Sequence, residues 1–198
     1  KTLLRAAGVL ALALPLSAAA ADAPAADYTP NIGQAGKDVI WVPTPDTLVD
    51  RMLRMARVTA ADFVIDLGSG DGKIAIAAAK TFRARARGVE FNPDMVALSN
   101  RNAAAAGVSD TVEFVQGDIF ATDFGEATVV TLYLLPSLNL RLRPALLGLR
   151  PGTRVVSHMW DMGEWEPDET FRSGASEGFL WVVPGQVAGR WTLREEGG

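Results

Sequence analysis

A glycine-rich turn between a short apolar strand and an alanine-rich helix constrains the fold more than any other segment. Phe63–Leu67 is apolar except for Asp66, residues 68–72 contain three glycines, and Lys73–Phe82 is rich in Ala and Ile. Glycines allow positive φ and let a backbone approach a ligand closely, and the start of a helix offers unpaired N–H groups. The segment predicts a βα turn beside a ligand site, at the first crossover of a parallel sheet.

Strand and helix patterns alternate along the rest of the domain. Apolar and β-branched runs predict five strands, at 63–67, 86–91, 111–116, 128–135 and 153–159. Periodic patterns predict helices from a Thr44 cap to about Arg57, over 73–82 and 93–106, and over 137–149 with an interruption at Pro144. Residues 128–135 are all apolar, β-branched or aromatic, which is typical of a strand covered on both faces. The predicted fold is α/β, with a doubly wound, mostly parallel sheet.

The C-terminal part of the chain has a different pattern. Residues 179–183 and 187–193 are two apolar, β-prone runs, and they flank Pro184 and Gly185. Two such runs around a short turn predict an antiparallel hairpin.

The first 21 residues are typical of a secretory signal peptide. Lys1 and Arg5 precede an 11-residue apolar run at 6–16, and small residues fill 17–21. A membrane-spanning helix needs roughly 20 apolar residues. We therefore expect cleavage after Ala20 or Ala21, no stable membrane span after cleavage and a periplasmic location. A membrane tether formed by an uncleaved signal is the alternative.

Residues 22–40 are rich in Ala, Pro, Gly and Asp and show no period. They are expected to form an extended leader, either disordered or laid across the surface of the domain. The domain itself is predicted to span residues 41–198.

The composition excludes several kinds of site. The chain has no Cys and one His, which rules out disulfides, thiolate chemistry and Cys- or His-rich metal centres, and no metal site is predicted. Without Lys1 and Arg5, 17 basic residues stand against 23 acidic ones, a net charge of −6. Nucleic-acid binding shows as a basic face, so no nucleic-acid partner is expected.

Acidic residues accompany the first three predicted strands. Asp66 lies in the first strand, Glu90 follows 18 residues after Gly72, and Asp118 comes just beyond the third strand. At the shared carboxyl edge, Glu90 is placed to accept from the two hydroxyls of a ribose, and Asp118 from an adenine amino group. Lys73 stands where a dinucleotide fingerprint needs its third glycine, and the turn has no Gly-Lys-Ser/Thr ending. NAD, FAD and P-loop patterns are therefore excluded.

The sequence Asp-Leu-Gly-Ser-Gly-Asp-Gly at 66–72, together with Glu90 and Asp118, resembles the class I, seven-strand S-adenosylmethionine-dependent methyltransferases. The resemblance covers residues 41–193. Trp-Val-Pro-Thr-Pro at 41–45 makes the chain similar to small mitochondrial-type protein-lysine methyltransferases and their bacterial relatives. This resemblance implies a Rossmann-like sheet, S-adenosylmethionine as cofactor and methyl transfer as the activity.

The resemblance also implies which residues meet the cofactor: Asp66, Gly68, Ser69, Gly70, Asp71, Gly72, Glu90, Phe91, Asp118 and Ile119. Asp66 is expected to order the turn, whose backbone faces the methionine part. Glu90 binds the ribose, and Asp118 with the backbone of Ile119 meets the polar edge of adenine. Phe91 either lies against the adenine or is an ordinary core residue.

The methyl acceptor is sought where the fourth and fifth strands end. Tyr133 is the candidate catalytic residue, as a wall or orienting group, and a buried strand aromatic is the alternative; Asn139 lies just beyond. Residues 157–165 hold His158, Trp160 and Trp165. Aromatic faces attract a cationic amine, so this cluster is a candidate acceptor pocket, with a structural histidine as the alternative.

The leading functional hypothesis is methyl transfer from S-adenosylmethionine to an unidentified acceptor, a protein lysine or a small amine or hydroxyl compound. The alternative is a non-catalytic, extracytoplasmic module that binds an adenosyl ligand. Trp41, Trp181 and Trp191 are expected in the core or under the leader.

Overall fold

The computed structural model describes residues 28–185 of the chain. The described strands are β1 (Phe63–Leu67), β2 (Arg85–Glu90), β3 (Val112–Gln116), β4 (Val129–Leu132), β5 (Arg154–His158), β6 (Glu169–Ser173) and β7 (Ser176–Val182). The described helices are α1 (Asp46–Met55), α2 (Lys73–Phe82), α3 (Pro93–Ala106) and α4 (Pro136–Leu147). The predicted signal peptide and the predicted strand at 187–193 lie outside these residues.

The seven strands form one sheet in the order β3-β2-β1-β4-β5-β7-β6. Strands β1 to β5 are parallel, and β7 runs antiparallel to both β5 and β6. The predicted doubly wound, mostly parallel sheet is confirmed. The chain builds outward from β1 to β3 and then returns to β4 on the other side of β1. This reversal makes the carboxyl ends of β1 and β4 the topological switch point, where open α/β sheets bind ligands.

Helices cover both faces of the sheet. On one face, Val64 of β1 packs with buried residues of α1, α2 and α3. On the other face, Ile65 and Leu67 pack with Leu138, Leu142 and Leu146 of α4. All five residues of β1 are buried, because alternate side chains enter two different apolar layers. This explains why the central strands have almost continuously apolar sequences.

Two predicted helix boundaries differ from the structure. The N-cap of α1 is Pro45, and the Thr44 hydroxyl faces His158 instead of capping the helix. Pro144 lies inside α4 and does not interrupt it. A proline removes one helical hydrogen bond, but the buried leucine face of α4 extends on both sides of Pro144 and holds the helix together.

The antiparallel hairpin is formed by β6 and β7, connected at Gly174 with φ +61°. The predicted run 179–183 falls largely in β7, so the described partner of this strand precedes it in the chain. β6 has one buried residue, Phe171, and charged or polar neighbours. Such a sequence suits an edge strand exposed to water, and it carries no run of apolar residues by which to recognise it.

Of the three tryptophans expected in the core or under the leader, Trp181 lies in the core and Trp191 lies outside the described residues. Trp181 of β7 is fully buried, and its ring lies 5.9 Å from that of Trp165. Within residues 28–185, no helix combines the length and the apolar character needed to cross a bilayer.

A buried ion pair joins the amino ends of three strands, at the edge opposite the switch point. Arg154 at the start of β5 donates to Asp62, which precedes β1, and to the carbonyl of Ala56 at 2.8 Å. Thr128, just before β4, donates to Asp62 at 2.8 Å. Burial alone would raise the pKa of Asp62, but hydrogen bonds from Thr128, Arg154 and the Thr59 amide outweigh it, and the pKa is lowered.

We expect Asp62→Ala to lower the free energy of unfolding by about 3 kcal/mol, because Arg154 is left without its partner in a partly buried position. Urea denaturation at pH 7 measures this. The contribution of Asp62 is present above the unfolded pKa of about 4 and is lost as the pH falls through the lower folded pKa. The matched control is Asp50→Ala, which breaks the exposed pair with Arg54 and should change stability by about 0.5 kcal/mol or less. Equal effects of the two substitutions would contradict the assignment.

Candidate functional site

An open cleft of about 280 Å³ lies at the carboxyl ends of β1, β2 and β4. It coincides with the topological switch point, where this architecture positions a ligand. Of the residues predicted to meet the cofactor, nine line the cleft: Asp66, Gly68, Ser69, Gly70, Asp71, Glu90, Phe91, Asp118 and Ile119. Gly72 lies behind the cleft wall, where a Cβ would come within 2.5 Å of Phe114. Tyr133 lines the opposite end.

The glycine turn forms the floor of the cleft. Gly68, Gly70 and Gly72 all have positive φ, at +80°, +54° and +83°. The amides of Gly68 and Ser69 donate to the Val89 carbonyl at 2.9 and 3.0 Å, which anchors the turn to β2. At Gly70 a Cβ would also lie 2.8 Å from Nε1 of Trp41. Both the backbone conformation and the close approach of Trp41 therefore require glycine at this position.

Glu90 connects two loops at the edge of the sheet. Its Oε2 accepts from the Gly70 amide at 3.0 Å, and its Oε1 accepts from the Asn92 amide at 2.9 Å. Each carboxylate oxygen has a second acceptor position. Glu90 can therefore fix the turn and still accept hydrogen bonds from the hydroxyls of a ribose in the cleft.

Asp66 has a different contact from the expected one. Its Oδ1 accepts from the Thr131 hydroxyl at 2.6 Å, which joins β1 to β4, whereas Val89 and Glu90 hold the turn. The residue is 2% exposed. The pKa of Asp66 is raised to about 7, mainly by burial; the hydrogen bond from Thr131 opposes this shift, and the neighbouring charges of Asp71 and Glu90 add to it.

These acids fit a cationic ligand. Among residues 28–185, no Lys or Arg forms an ion pair with Asp66, although its carboxyl group is buried at the wall of an open cleft. S-adenosylmethionine carries a positive sulfonium and a positive amino group. A cation bound here would favour the ionised form of Asp66, and Glu90 would meet the ribose. The donors and acceptors of the cleft therefore fit this cofactor.

The adenine end of the cleft is built from Phe91, Asp118 and Ile119. Phe91 is 49% exposed, so the alternative that it is a core residue does not hold. Lys37 lies over its ring, 4.9 Å from the centre, and donates to Asp118 Oδ2 at 2.6 Å. The hydrogen bond from Lys37 and that from the Phe120 amide lower the pKa of Asp118. One oxygen of the carboxylate that the resemblance assigns to adenine thus contacts Lys37 in this structure.

Lys37 belongs to a segment, residues 33–41, that crosses the cleft; we call it the strap. Its two ends pair through Gly33 N to Trp41 O and Trp41 N to Gln34 O, at 2.8 and 2.9 Å. Trp41 lines the cleft and is not among the buried core residues, so its expected place in the core is wrong. Sequence reasoning missed Gln34, Lys37 and Thr44 as cleft residues. The Trp-Val-Pro-Thr-Pro motif was the signal that could have indicated the last of them.

The far end of the cleft is aromatic. Tyr133 follows β4, lines the cleft and is half-buried, and burial raises the pKa of its hydroxyl. Trp160 lines the cleft and is 37% exposed, whereas Trp165 packs against Trp181. Asn139 of α4 is fully buried and donates to the Trp160 carbonyl at 3.0 Å, which holds the loop after β5 in place. The predicted aromatic cluster is therefore divided between the cleft and the core.

We expect Asp66→Asn to make the free protein more stable and the cofactor complex weaker. The pKa of Asp66 is higher in the folded protein than in the unfolded chain. Its contribution to the free energy of unfolding therefore falls as the pH rises from about 4 to about 7, and it stays low at pH 8. At pH 8 the substitution should raise the free energy of unfolding by about 2 kcal/mol and weaken S-adenosylmethionine binding by about 1–3 kcal/mol.

Denaturation and calorimetric titration at pH 8 measure the two effects. The matched control is Asp110→Asn, an exposed acid in the loop before β3, which should change neither quantity. An Asp66→Asn variant that binds the cofactor as tightly as the unmodified chain would contradict the assignment.

Comparisons with known proteins agree with this geometry. Residues 66–169 match the ANTKMT methyltransferase domain family. A protein-lysine N-methyltransferase from Saccharolobus islandicus is 45% identical over 136 residues, which cover 68% of this chain and 84% of that protein. The adenine nucleotide translocase lysine N-methyltransferase of Mus musculus is 32% identical over 123 residues, 62% of this chain and 54% of the mouse protein.

A solved structure is also similar. The crystal structure of an RNA methyltransferase from Salinibacter ruber in complex with S-adenosyl-L-homocysteine is 54% identical, with a TM-score of 0.73. The match covers 74% of this chain and 96% of that one. S-adenosylhomocysteine is what remains of S-adenosylmethionine after methyl transfer, so the two comparisons indicate the same cofactor. The chain belongs to the ANTKMT methyltransferase domain family and is a class I S-adenosylmethionine-dependent methyltransferase.

Proposed function

We propose that this enzyme methylates the ε-amino group of a lysine in a protein. The observation that carries the proposal is the aromatic far end of the cleft, where Tyr133 and Trp160 line the wall. Aromatic faces attract cations, and the lysine stem is narrow and apolar enough to lie along such a wall. The relatives named as protein-lysine and adenine nucleotide translocase lysine methyltransferases support the same acceptor.

The protein mainly has to align the reactants. When bound, S-adenosylmethionine supplies a methyl group activated by its sulfonium; the acceptor nitrogen forms the new N–C bond as the C–S bond breaks, and the electron pair stays on sulfur. The cleft walls hold the two reactants in line.

Tyr133 is suited to orient the acceptor and not to deprotonate it. Because burial raises its pKa, the hydroxyl remains protonated at neutral pH and can exchange hydrogen bonds with an amine. The acceptor ammonium must lose a proton before it attacks, and desolvation in an aromatic environment lowers its pKa. The proton then leaves to water through the open mouth of the cleft.

The charges of the cleft favour a lysine over an RNA. Asp38, Asp66, Asp71, Glu90 and Asp118 line the cleft, against two lysines. Both of these lysines are paired with carboxylates, Lys37 with Asp118 at 2.6 Å and Lys73 with Asp46 at 2.9 Å. An RNA backbone gains affinity from free cationic groups, whereas a lysine ammonium gains from acids.

We expect label from S-[methyl-³H]adenosylmethionine to enter protein lysine when the full chain is incubated with a cell extract divided into protein and RNA fractions. After acid hydrolysis of the protein fraction, the label should elute with Nε-methyl-lysine, and prior chemical dimethylation of its lysines should abolish the incorporation. Incorporation into the RNA fraction that ribonuclease releases would overturn the acceptor proposal while leaving methyl transfer intact.

We expect Glu90→Ala to weaken the binding of S-adenosylmethionine and S-adenosylhomocysteine by about 1–3 kcal/mol, or roughly 5- to 150-fold in Kd. The variant loses the ribose acceptor and frees the Gly70 amide. Calorimetric titration measures the change. Glu113→Ala, an exposed position on β3 where the carboxylate pairs with Arg87, is the matched control and should bind normally. Equal Kd values for the two variants would rule out the ribose assignment.

A further inference from the structure

His158 lies directly behind the aromatic far end of the cleft, which we call the acceptor end because the proposed function places the methyl acceptor there. It ends β5, is 3% exposed and is the sole histidine of the chain. Its ring centre lies 3.9 Å from that of Tyr133, with the planes tilted by 35°. Its Nδ1 lies 3.4 Å from the Thr44 hydroxyl. Both Tyr133 and Thr44 line the cleft, so His158 touches two wall residues without lining the cleft itself.

The His158 ring contacts Tyr133 at a point where strand pairing does not constrain the tyrosine. The residue follows the end of β4, where the strand pairing with β5 has just ended at Leu132 and Ser157. The backbone ladder therefore no longer determines where the Tyr133 ring points. The buried imidazole offers a packed aromatic surface against which the Tyr133 ring lies.

The imidazole also suits the charges of the reaction. Burial lowers the pKa of His158 to about 4, so its ring is neutral at pH 7. A positive ring behind Tyr133 would repel both a sulfonium donor and an ammonium acceptor. The other contacts of His158, with the Thr44 hydroxyl and the Tyr133 ring, are uncharged as well.

We propose that His158 is a positioning residue for methyl transfer: its ring holds Tyr133 in the orientation that receives the acceptor, and its contact with Thr44 connects this wall to the segment after the strap. The proposal rests on methyl transfer in this cleft and on the proposed role of Tyr133. It does not depend on lysine being the acceptor.

Fluorine NMR tests the positioning directly, because the chain has two tyrosines, Tyr28 and Tyr133. The full chain labelled with 3-fluorotyrosine gives two ¹⁹F signals, which the Tyr28→Phe variant assigns. We expect His158→Ala to move the Tyr133 signal toward the value of free fluorotyrosine and to leave the Tyr28 signal in place. His158→Phe, which retains an aromatic surface, should keep Tyr133 shifted. An unmoved Tyr133 signal in folded His158→Ala overturns the proposal.

Kinetic measurements test whether this positioning affects turnover. The acceptor is the extract fraction, protein or RNA, that the unmodified chain labels with tritiated methyl groups. His158→Ala should lower kcat at least tenfold and change the Kd of S-adenosylmethionine less than threefold, and His158→Phe should recover most of kcat. In a Tyr133→Ala background, adding His158→Ala should cause no further loss. Independent, multiplicative losses, or a Phe variant as impaired as the Ala variant, would overturn the proposal.

A purely structural histidine would behave differently. In that case both His158→Ala and His158→Phe would lower the melting temperature and would reduce cofactor binding and turnover together. Should His158→Ala fail to fold, the comparison of His158→Phe with Thr44→Val keeps the test decisive. We expect His158→Phe to retain most of kcat and Thr44→Val to lose part of it. Loss of kcat in His158→Phe would contradict the role of the ring stacking. A label that enters RNA contradicts only the acceptor, since the NMR result is independent of it.

Discussion

The Glu90 carboxylate is the interaction on which the cofactor site depends. It accepts from the amide of Gly70 in one loop and from the amide of Asn92 in the next, so a single side chain sets the distance between the glycine turn and the start of α3. The Val89 carbonyl adds two further bonds to the same turn. Because β2 supplies all of these acceptors, the turn is positioned by the neighbouring strand more than by its own residues. A site built in this way is formed before the ligand arrives, which reduces the entropy lost on binding.

The pKa values of two buried carboxylates are shifted in opposite directions at the two ends of the sheet. At the amino end, Asp62 has Arg154, Thr128 and the Thr59 amide as partners, and its pKa is lowered. At the carboxyl end, Asp66 has the Thr131 hydroxyl and two acidic neighbours, and its pKa is raised to about 7. The contacts of Asp62 stabilise the fold. The environment of Asp66 makes the free protein less stable, and a cationic ligand bound there would stabilise the ionised carboxylate. Stability and binding are thus assigned to opposite edges of the same strands, as is common in proteins whose active sites carry unsatisfied groups.

The acceptor end depends on long-range contacts. Tyr133, Trp160 and Thr44 come from three separate segments, and His158 and Asn139 hold them from behind. The fold itself is shared by enzymes with different acceptors, as the names of the lysine and RNA methyltransferase relatives show. The parallel sheet therefore does not determine the acceptor. Our proposal assigns that choice to the side chains at this end of the cleft.

The sequence by itself predicted the doubly wound, mostly parallel sheet and the glycine turn, and its resemblance to the class I methyltransferases implied the cofactor. Continuous apolar runs predicted the strands, and the spacing of Asp66, Glu90 and Asp118 predicted the cofactor edge, because local patterns repeat at the carboxyl end of each strand. Only the tertiary structure decided what those residues touch. It showed that Asp66 accepts a hydrogen bond from Thr131, and that Lys37 lies over the Phe91 ring and pairs with Asp118. It also showed that Trp41 lies against Gly70 and that β6 pairs with β7. The bonds of Asp66 and Asp118, the Trp41–Gly70 contact and the stacking of His158 on Tyr133 join residues 25 to 81 positions apart. Such contacts leave no periodic signal in a sequence, since they arise from how the chain folds back on itself.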